Sequence, residues 1–345
     1  MRKLIVAALL LLEGTVCAVQ AQNVKILTQN MDVGTNESYI LQFASTQPKL
    51  GVDLTLAEII ASNIPGRAAL LANRIAAEKP DLVGLQEVGL WRVGLTPATA
   101  NVVLYDQLQL LLQALSAKGV PYQAVAVNSL TDIALPATFG AVRFTDRDAL
   151  LVRADARPST LQIANAQTHV YSAALPFDGF QVVAGWISAD VTAGGTPFKF
   201  VTTHLMSSIP GTPAATLVQV AQTEELIAAL SGVTEPILIS GDLNSDADFG
   251  NGPDATPSVG LIEAAGYKDD WKLVNPSDPG PTWPLFLQDQ TPPNFFATSS
   301  PFERIDLFFS KGISVISEER IFAPAPFGLP DFGSDHAGVL GSFRP

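Results

Sequence analysis

Ile237-Leu238-Ile239-Ser240-Gly241-Asp242-Leu243-Asn244 sets the frame for reading this chain. The first residues are an apolar run short enough for a buried strand. Gly241 permits a close backbone approach. Asp242 and Asn244 come next at alternating positions, and side chains of period two at a strand end can point the same way. Turn propensity accounts for Gly, Asp and Asn equally well when they are taken singly. Two polar groups on one face favour a site. Polar residues directly beyond apolar strands are also where α/β sheets usually place their chemistry.

The pattern recurs along the chain. Asn30 ends the run Val24–Gln29, where a turn residue is the simplest reading. Glu87 sits in Leu82-Val83-Gly84-Leu85-Gln86-Glu87-Val88. A carboxylate there is costly unless it is paired, exposed or bound to a cation, so metal ligation and a salt bridge both stay open. Arg147-Asp148 precede Ala149–Val152 and read as an ion pair at a strand start. His204 ends Phe200–Thr203, as a hydrogen-bonded structural residue or a catalyst. Arg304-Ile305-Asp306 opens the strand Leu307–Phe309, and Ser334-Asp335-His336 precedes the last strand. A carboxylate that fixes an imidazole makes a general acid/base unit. For His336 a remote carboxylate, Asp306 or Asp148, suits that role better than its neighbour Asp335. His169, in Ala166-Gln167-Thr168-His169, has no acidic neighbour and reads as structural or exposed.

Between these points strand-like and helix-like segments alternate. Helices are predicted over Arg67–Glu78, Val102–Lys118 and Ala214–Leu230, and a polar loop over the stretch holding Gly34 and Pro48. The region from Tyr122 to Val191 is mostly strands. Mixed strands with few helices predict two packed sheets covered by helices, an α/β sandwich. Pro276–Pro301 is a long aromatic- and proline-rich loop, a kind that is often functional.

The 345 residues carry 33 acidic and 20 basic side chains, a net charge of −13. That balance argues against a nucleic-acid packaging protein but not against an enzyme that meets phosphate at one metal-filled cleft. Arg2, Lys3, the apolar run Leu4–Leu12 and the small residues around Ala21 read as a secretory signal. We expect residues 1–21 to be this signal and residues 22–345 to form a single domain, secreted or periplasmic, with no stable membrane span. The one cysteine, Cys17, lies inside the signal, where Gly14, Thr15 and Val16 fit a lipoprotein acylation site poorly. Without it the mature chain has no thiol for disulfides, zinc–thiolate sites or nucleophilic catalysis.

Taken in order, Asn30, Gln86-Glu87, Thr203-His204, Gly241-Asp242-Leu243-Asn244, Arg304-Ile305-Asp306 and Ser334-Asp335-His336 resemble the endonuclease/exonuclease/phosphatase superfamily, which includes deoxyribonuclease I. The resemblance runs from about Val24 to Phe343 and is that of a secreted, bacterial-type member. It implies a four-layered α/β sandwich, two packed mixed β-sheets flanked by helices, and Mg2+-dependent cleavage of phosphate esters, with Mn2+ or Ca2+ as alternatives. By position, Glu87 is similar to the main metal ligand, with Asn30 and Asp335 in the metal shell. Asp242 and Asn244 resemble the pair that orients water and holds phosphate. His336 resembles the catalytic histidine, with Asp306 as its partner. His204 resembles the second histidine of the nuclease and sphingomyelinase branches, with Asp148 as partner where deoxyribonucleases have a Glu.

The substrate classes this leaves are nucleic acid, phospholipid or sphingomyelin, and small phosphodiesters, acted on by a monomer. Trp91 and Arg92 read either as a nucleic-acid contact or as a surface loop with one aromatic anchor. Thr282–Phe286 and Phe295-Phe296 read either as a membrane contact or as packing under the long loop. The reading from another class is a non-catalytic secreted binding module that retains the fold.

Overall fold

The computed structural model describes residues 23–154, 161–177, 180–209, 211–248, 255–288, 292, 294–324 and 332–345. Cys17 and the whole segment read as a secretory signal lie outside them. The strands in chain order begin with β1 (Val24–Asn30), β2 (Leu82–Gln86), β3 (Leu90–Gly94), β4 (Val102–Asp106), β5 (Tyr122–Pro136) and β6 (Ala141–Arg153). Then come β7 (Gln162–Val170), β8 (Leu175–Phe177), β9 (Phe180–Val182), β10 (Gly185–Ala193), β11 (Thr196–His204) and β12 (Ile237–Asp242). The last are β13 (Lys268–Asp269), β14 (Phe286–Leu287), β15 (Ala297–Thr298), β16 (Asp306–Lys311), β17 (Ser314–Ile321) and β18 (Gly338–Arg344). The helices are α1 (Ser38–Phe43), α2 (Pro48–Ala61), α3 (Ile64–Glu78), α4 (Gln107–Ala117), α5 (Pro213–Leu230), α6 (Ser258–Ala264) and α7 (Asp270–Val274).

An eight-stranded sheet runs β17-β18-β1-β2-β6-β3-β4, with β5 also on β6, and a six-stranded sheet runs β13-β16-β12-β11-β10-β7. The central strands β1, β2 and β12 are buried on both faces, so they read as continuous apolar runs rather than as clean alternation. Period two sorts each run. Ile26, Leu82 and Leu150 of the first sheet meet Ile187, Phe200, Leu238 and Phe308 of the second. Their sequence neighbours face outward. Leu27, Val83 and Leu151 pack under Leu71 and Ile75 of α3 and Leu108 and Leu111 of α4. Val201, Ile239 and Phe309 pack under Leu226 of α5 and Ile262 of α6. The result is the expected four-layered α/β sandwich. No helix among the described residues is long and apolar enough to cross a membrane.

Several local expectations are corrected. Val102–Lys118 is not one helix: Val102–Asp106 forms β4 and the helix starts at Gln107. Val102, Val103 and Tyr105 suit an edge strand, and the Asp106 side chain caps α4 by accepting from the Gln109 amide at 3.2 Å. The loop expected around Gly34 and Pro48 instead carries α1 and α2, with Pro48 in the first turn, where its missing N–H costs nothing. Arg147-Asp148 lies inside β6 and is not an ion pair; Arg147 pairs with Asp106 at 2.7 Å. Trp91 is no surface anchor. It is buried in β3, stacked on Phe144 at 4.3 Å, and donates to the Val33 carbonyl. Arg92 pairs with Asp132 at 3.1 Å. His169 lies in β7, half-buried and stacked on Trp186 at 4.5 Å. Phe286, Phe295 and Phe296 pack together with Tyr39, which is the packing alternative for that loop.

The sheets pack tightly against each other at Gly84. A Cβ there would sit 2.4 Å from Thr202 Oγ1 across the interface. Gly84→Val should therefore overpack it and lower unfolding stability by about 1–3 kcal/mol, read as a drop in the urea midpoint at unchanged slope. A neutral result would show that the layer is slack.

Candidate active site

Strand register brings the polar residues to one end of both sheets. Asn30 pairs with Gln86 across the parallel β1–β2 ladder. His204 pairs with Asp242 across β11–β12, and Asp242 with Asp306 across β12–β16. Asp148 of β6 lies one step beyond the Leu85–Ala149 pair. Glu87 leaves β2 at φ 55, a left-handed turn that redirects its side chain. Gly241, at φ 142, lies so close to the Thr203 carbonyl that a Cβ would overlap it.

Asp242 Oδ2 is the point of convergence. Asn30 Nδ2 donates to it at 3.0 Å and to Glu87 Oε1 at 2.8 Å. His204 Nε2 and His336 Nε2 each stand 3.8 Å from the same oxygen. His336 Nδ1 bonds Asp306 Oδ2 at 2.8 Å, so its other nitrogen is turned to the site. His204 Nδ1 lies 3.9 Å from Asp148 Oδ1. Asn244 follows Asp242 at φ 45, fixed by its own amide on Asp242 Oδ1 at 2.9 Å and by its side chain on the Leu205 carbonyl at 2.9 Å. Asp335 stands somewhat apart: it accepts from Trp283 Nε1 at 3.1 Å and lies 3.9 Å from His336 Nε2. His169 is not part of the group.

Some members escaped the sequence reading. Arg67, buried in α3, donates to the carbonyls of Gly333, Met31 and Asp32 and pairs with the Asp32 carboxylate at 3.0 Å. It ties the loop bearing His336 to the loop after Asn30. The Tyr171 hydroxyl bonds Thr203 Oγ1 at 2.7 Å and so braces the residue before His204. Asp146 lies beside Asp148 on the same face of β6. No motif marks these residues. Only their contacts do.

The site is rich in carboxylates. Burial drives the Asp335 carboxyl up to about 8, helped by Asp32 and opposed by His336. Burial takes Asp146 to about 6, against the pull of His204, and holds Asp148 well above the usual carboxylate range. Asp242 is likewise raised by burial, though His336 draws it back. Burial alone would depress His204, but Asp242 and Asp148 outweigh it and hold the imidazolium up at about 9. At His336 burial likewise pulls down, and Asp306, Asp335 and Asp242 together outweigh it and hold the imidazolium well above its usual range.

Ligand atoms of Glu87, Asp242 and His336 lie within 4.8 Å of one another. The neighbouring arginines are engaged elsewhere, Arg67 with Asp32 and Arg147 with Asp106. Carboxylates crowded this closely, with no lysine or arginine among the described residues between them, match the oxygen-rich donor set of a hard divalent cation. The residues present therefore fit a divalent metal. Asn30 acts here chiefly by holding Glu87 and Asp242 together, while its oxygen accepts from the Asp32 amide at 2.8 Å.

The pattern of the Endonuclease/Exonuclease/phosphatase family matches residues 60–336. Among solved structures, an endonuclease/exonuclease/phosphatase from Beutenbergia cavernae is 20% identical, with a TM-score of 0.57 over 93% of this chain and 71% of that one. D. rerio TDP2, complexed with single strand DNA product, is 15% identical, with a TM-score of 0.54 over 94% of this chain and 99% of that one. A mannosyl-6-phosphatase of Bacteroides thetaiotaomicron is 15% identical, with a TM-score of 0.53 over 93% of this chain and all, 100%, of that one. At such identities the likeness is one of fold. No curated protein sequence matches the chain.

The raised groups fix a pH dependence. Asp335 keeps its proton in the folded state up to about 8, whereas an unfolded Asp loses it near 3.9. His204 keeps its proton up to about 9, against about 6.5 unfolded. Over both windows the folded state binds more protons, so stability falls as pH rises. Chelator-treated protein should thus lose melting temperature steadily from pH 5 to pH 8.5. Added Mg2+ should raise it, and more at pH 8 than at pH 5. A flat profile, or equal Mg2+ shifts at both pH values, would contradict the charge assignment.

Proposed function

The chain belongs to the Endonuclease/Exonuclease/phosphatase family, whose members are generally metal-dependent phosphoesterases, and from this we propose that it hydrolyses a phosphodiester with the aid of Mg2+, outside the cytoplasm. The observation that carries the reading is the convergence of His336, supported by Asp306, and His204 on Asp242 beside Glu87. Of the similar structures, one is TDP2 complexed with a single strand DNA product and another a mannosyl-6-phosphatase, which supports a phosphate ester as the substrate.

Glu87 would hold the cation, with Asp335 at the edge of its reach and Asn30 keeping Glu87 and Asp242 in place. A bound divalent cation supplies positive charge to the phosphoryl oxygens. Asp242, made more basic by burial, is placed to take the proton of the attacking water. His336, protonated because Asp306 holds its Nδ1, presents Nε2 as a proton donor to the leaving oxygen. His204, charged in the same way, steadies the pentacoordinate phosphate. Asn244 is fixed beside Asp242 to orient the phosphate. The balance is one water consumed, one P–O bond broken, and one alcohol and one phosphate monoester released.

The test is turnover of bis-p-nitrophenyl phosphate with Mg2+ and with excess EDTA. EDTA and Glu87→Ala should each abolish it. His336→Ala should cost on the order of 10²–10⁴-fold in kcat. Asp306→Asn should cost much of the same factor and add little to His336→Ala, because the two act as one unit. Full activity in EDTA would refute the metal dependence, and no turnover under either condition would leave a fold kept for binding. Export has its own check: protein recovered outside the cytoplasm should begin near Gln22, and a retained Met1 would refute it.

A further inference from the structure

The cavity that starts at Glu87, Asp242 and His336 does not end there. It continues to a volume of about 690 Å³, a size that takes most of a drug-sized ligand. Beyond the polar end its walls are mainly apolar. Ile133 and Leu135 of β5, Val142 and Phe144 of β6, and Phe180 and Val182 of the β8–β9 hairpin line it. Among the described residues no lysine or arginine lines any part of it, whereas Glu37 and Asp146 do. The arginines on the adjoining strands are held elsewhere, Arg92 and Arg143 by Asp132.

This lining bears on the substrate. A nucleic acid brings phosphates on both sides of the one cleaved, and proteins hold them largely with Arg and Lys. Here the flanking phosphates would meet carboxylates and hydrocarbon. A molecule with one phosphate and a long hydrocarbon part fits both ends. We propose that the substrate is a lipid phosphodiester, with its phosphate among Glu87, Asp242 and His336 and an aliphatic chain in the apolar part of the cavity. The proposal rests on the phosphoesterase reading and names its substrate class.

The strand register adds where such a substrate comes from. Leu135 pairs with Val142, and one step outward Ala141 pairs with both Pro136 and Gly94. The turns just beyond carry Leu95, 85% exposed, and Phe139, 52% exposed. Apolar side chains thus stand at the tip of the same strands that wall the cavity. They are placed to meet a bilayer from which a chain is drawn.

A series of p-nitrophenyl alkyl phosphodiesters with methyl, butyl, octyl and dodecyl groups tests this, each below its micellar concentration and with Mg2+. The value of kcat/KM should rise along the series by up to about fourfold per added methylene. Leu135→Asp and Phe180→Ser, checked by circular dichroism, should each flatten that rise. Independently of turnover, dodecyl phosphate should alter the fluorescence of Trp91 and Trp283, which line the cavity, at concentrations where ethyl phosphate does not. A methyl ester hydrolysed as well as the dodecyl ester would overturn the lipid assignment and leave the phosphoesterase standing. Faster hydrolysis of single-stranded DNA than of the dodecyl ester would overturn it too. If no ester is turned over although dodecyl phosphate binds, it is the phosphoesterase reading that fails, and the substrate assignment with it.

Discussion

A layer of small side chains between the two sheets governs the rest of this structure. Along the inward-facing positions, each strand passes from large apolar residues through a small one to a polar one. Strand β1 reads Ile26, Thr28, Asn30; β2 reads Leu82, Gly84, Gln86; β11 reads Phe200, Thr202, His204; β12 reads Leu238, Ser240, Asp242. Gly84 and the hydroxyl residues let the sheets close to the point where Gln86 Nε2 reaches Thr202 Oγ1 at 3.0 Å. Only because that layer is thin does Asn30 of one sheet reach Asp242 of the other. A bulkier layer would separate the two halves of the site, since a hydrogen bond weakens quickly with distance and angle.

That layering explains why so much was legible in the sequence. Apolar runs ending in Asn30, Glu87, His204 and Asp242 announce strands whose ends share one side, because parallel pairs such as β1–β2 and β11–β12 end together. Asp306 and His336 belong to antiparallel strands, and so they had to precede theirs. The parts that could not be read are those whose cause is tertiary. Trp91 looks free to stack on a ligand until β3 buries it against Phe144. The segment after Gly34 looks like a loop because α1 is short and α2 carries no regular apolar stripe. Arg67 reads as a helical residue, and its hold on Gly333 spans 266 positions of sequence. Asp148 reads as a strand start, yet β6 continues through it, because its partner β5 runs alongside through the Asn128–Asp148 pair.

The same closeness has an electrostatic cost. Asp32, Asp146, Asp148, Asp242 and Asp335 all have carboxyls raised by burial. In each, ionisation at neutral pH opposes folding. A core evolved for stability alone would replace them with hydrocarbon. The two imidazoles offset part of the charge, and Arg67 offsets Asp32, but among the described residues no lysine or arginine enters the centre of the group. Functional sites are where such unbalanced groups are kept, because the field they make is what draws a cation and holds a histidine protonated.

On the proposed reading, reaction and specificity are built from different parts of the chain. The acid and imidazole groups stand on strand ends, where two sheets fix them from both sides. The apolar cavity is walled by the outer ends of β5 and β6, by the β8–β9 hairpin and by the segment around Ile40 and Val52. Those pieces touch the cluster only at its edge. Their side chains can change in size and polarity without disturbing the Asp242–Asn30 contact, whereas no change at Gly84 or Gly241 is neutral, since any Cβ there strikes the opposite strand or its neighbour. Motifs at strand ends are thus constrained by geometry and can be read from one sequence. The cavity walls are constrained only by what they must hold, and their meaning emerges only once the fold has set them side by side.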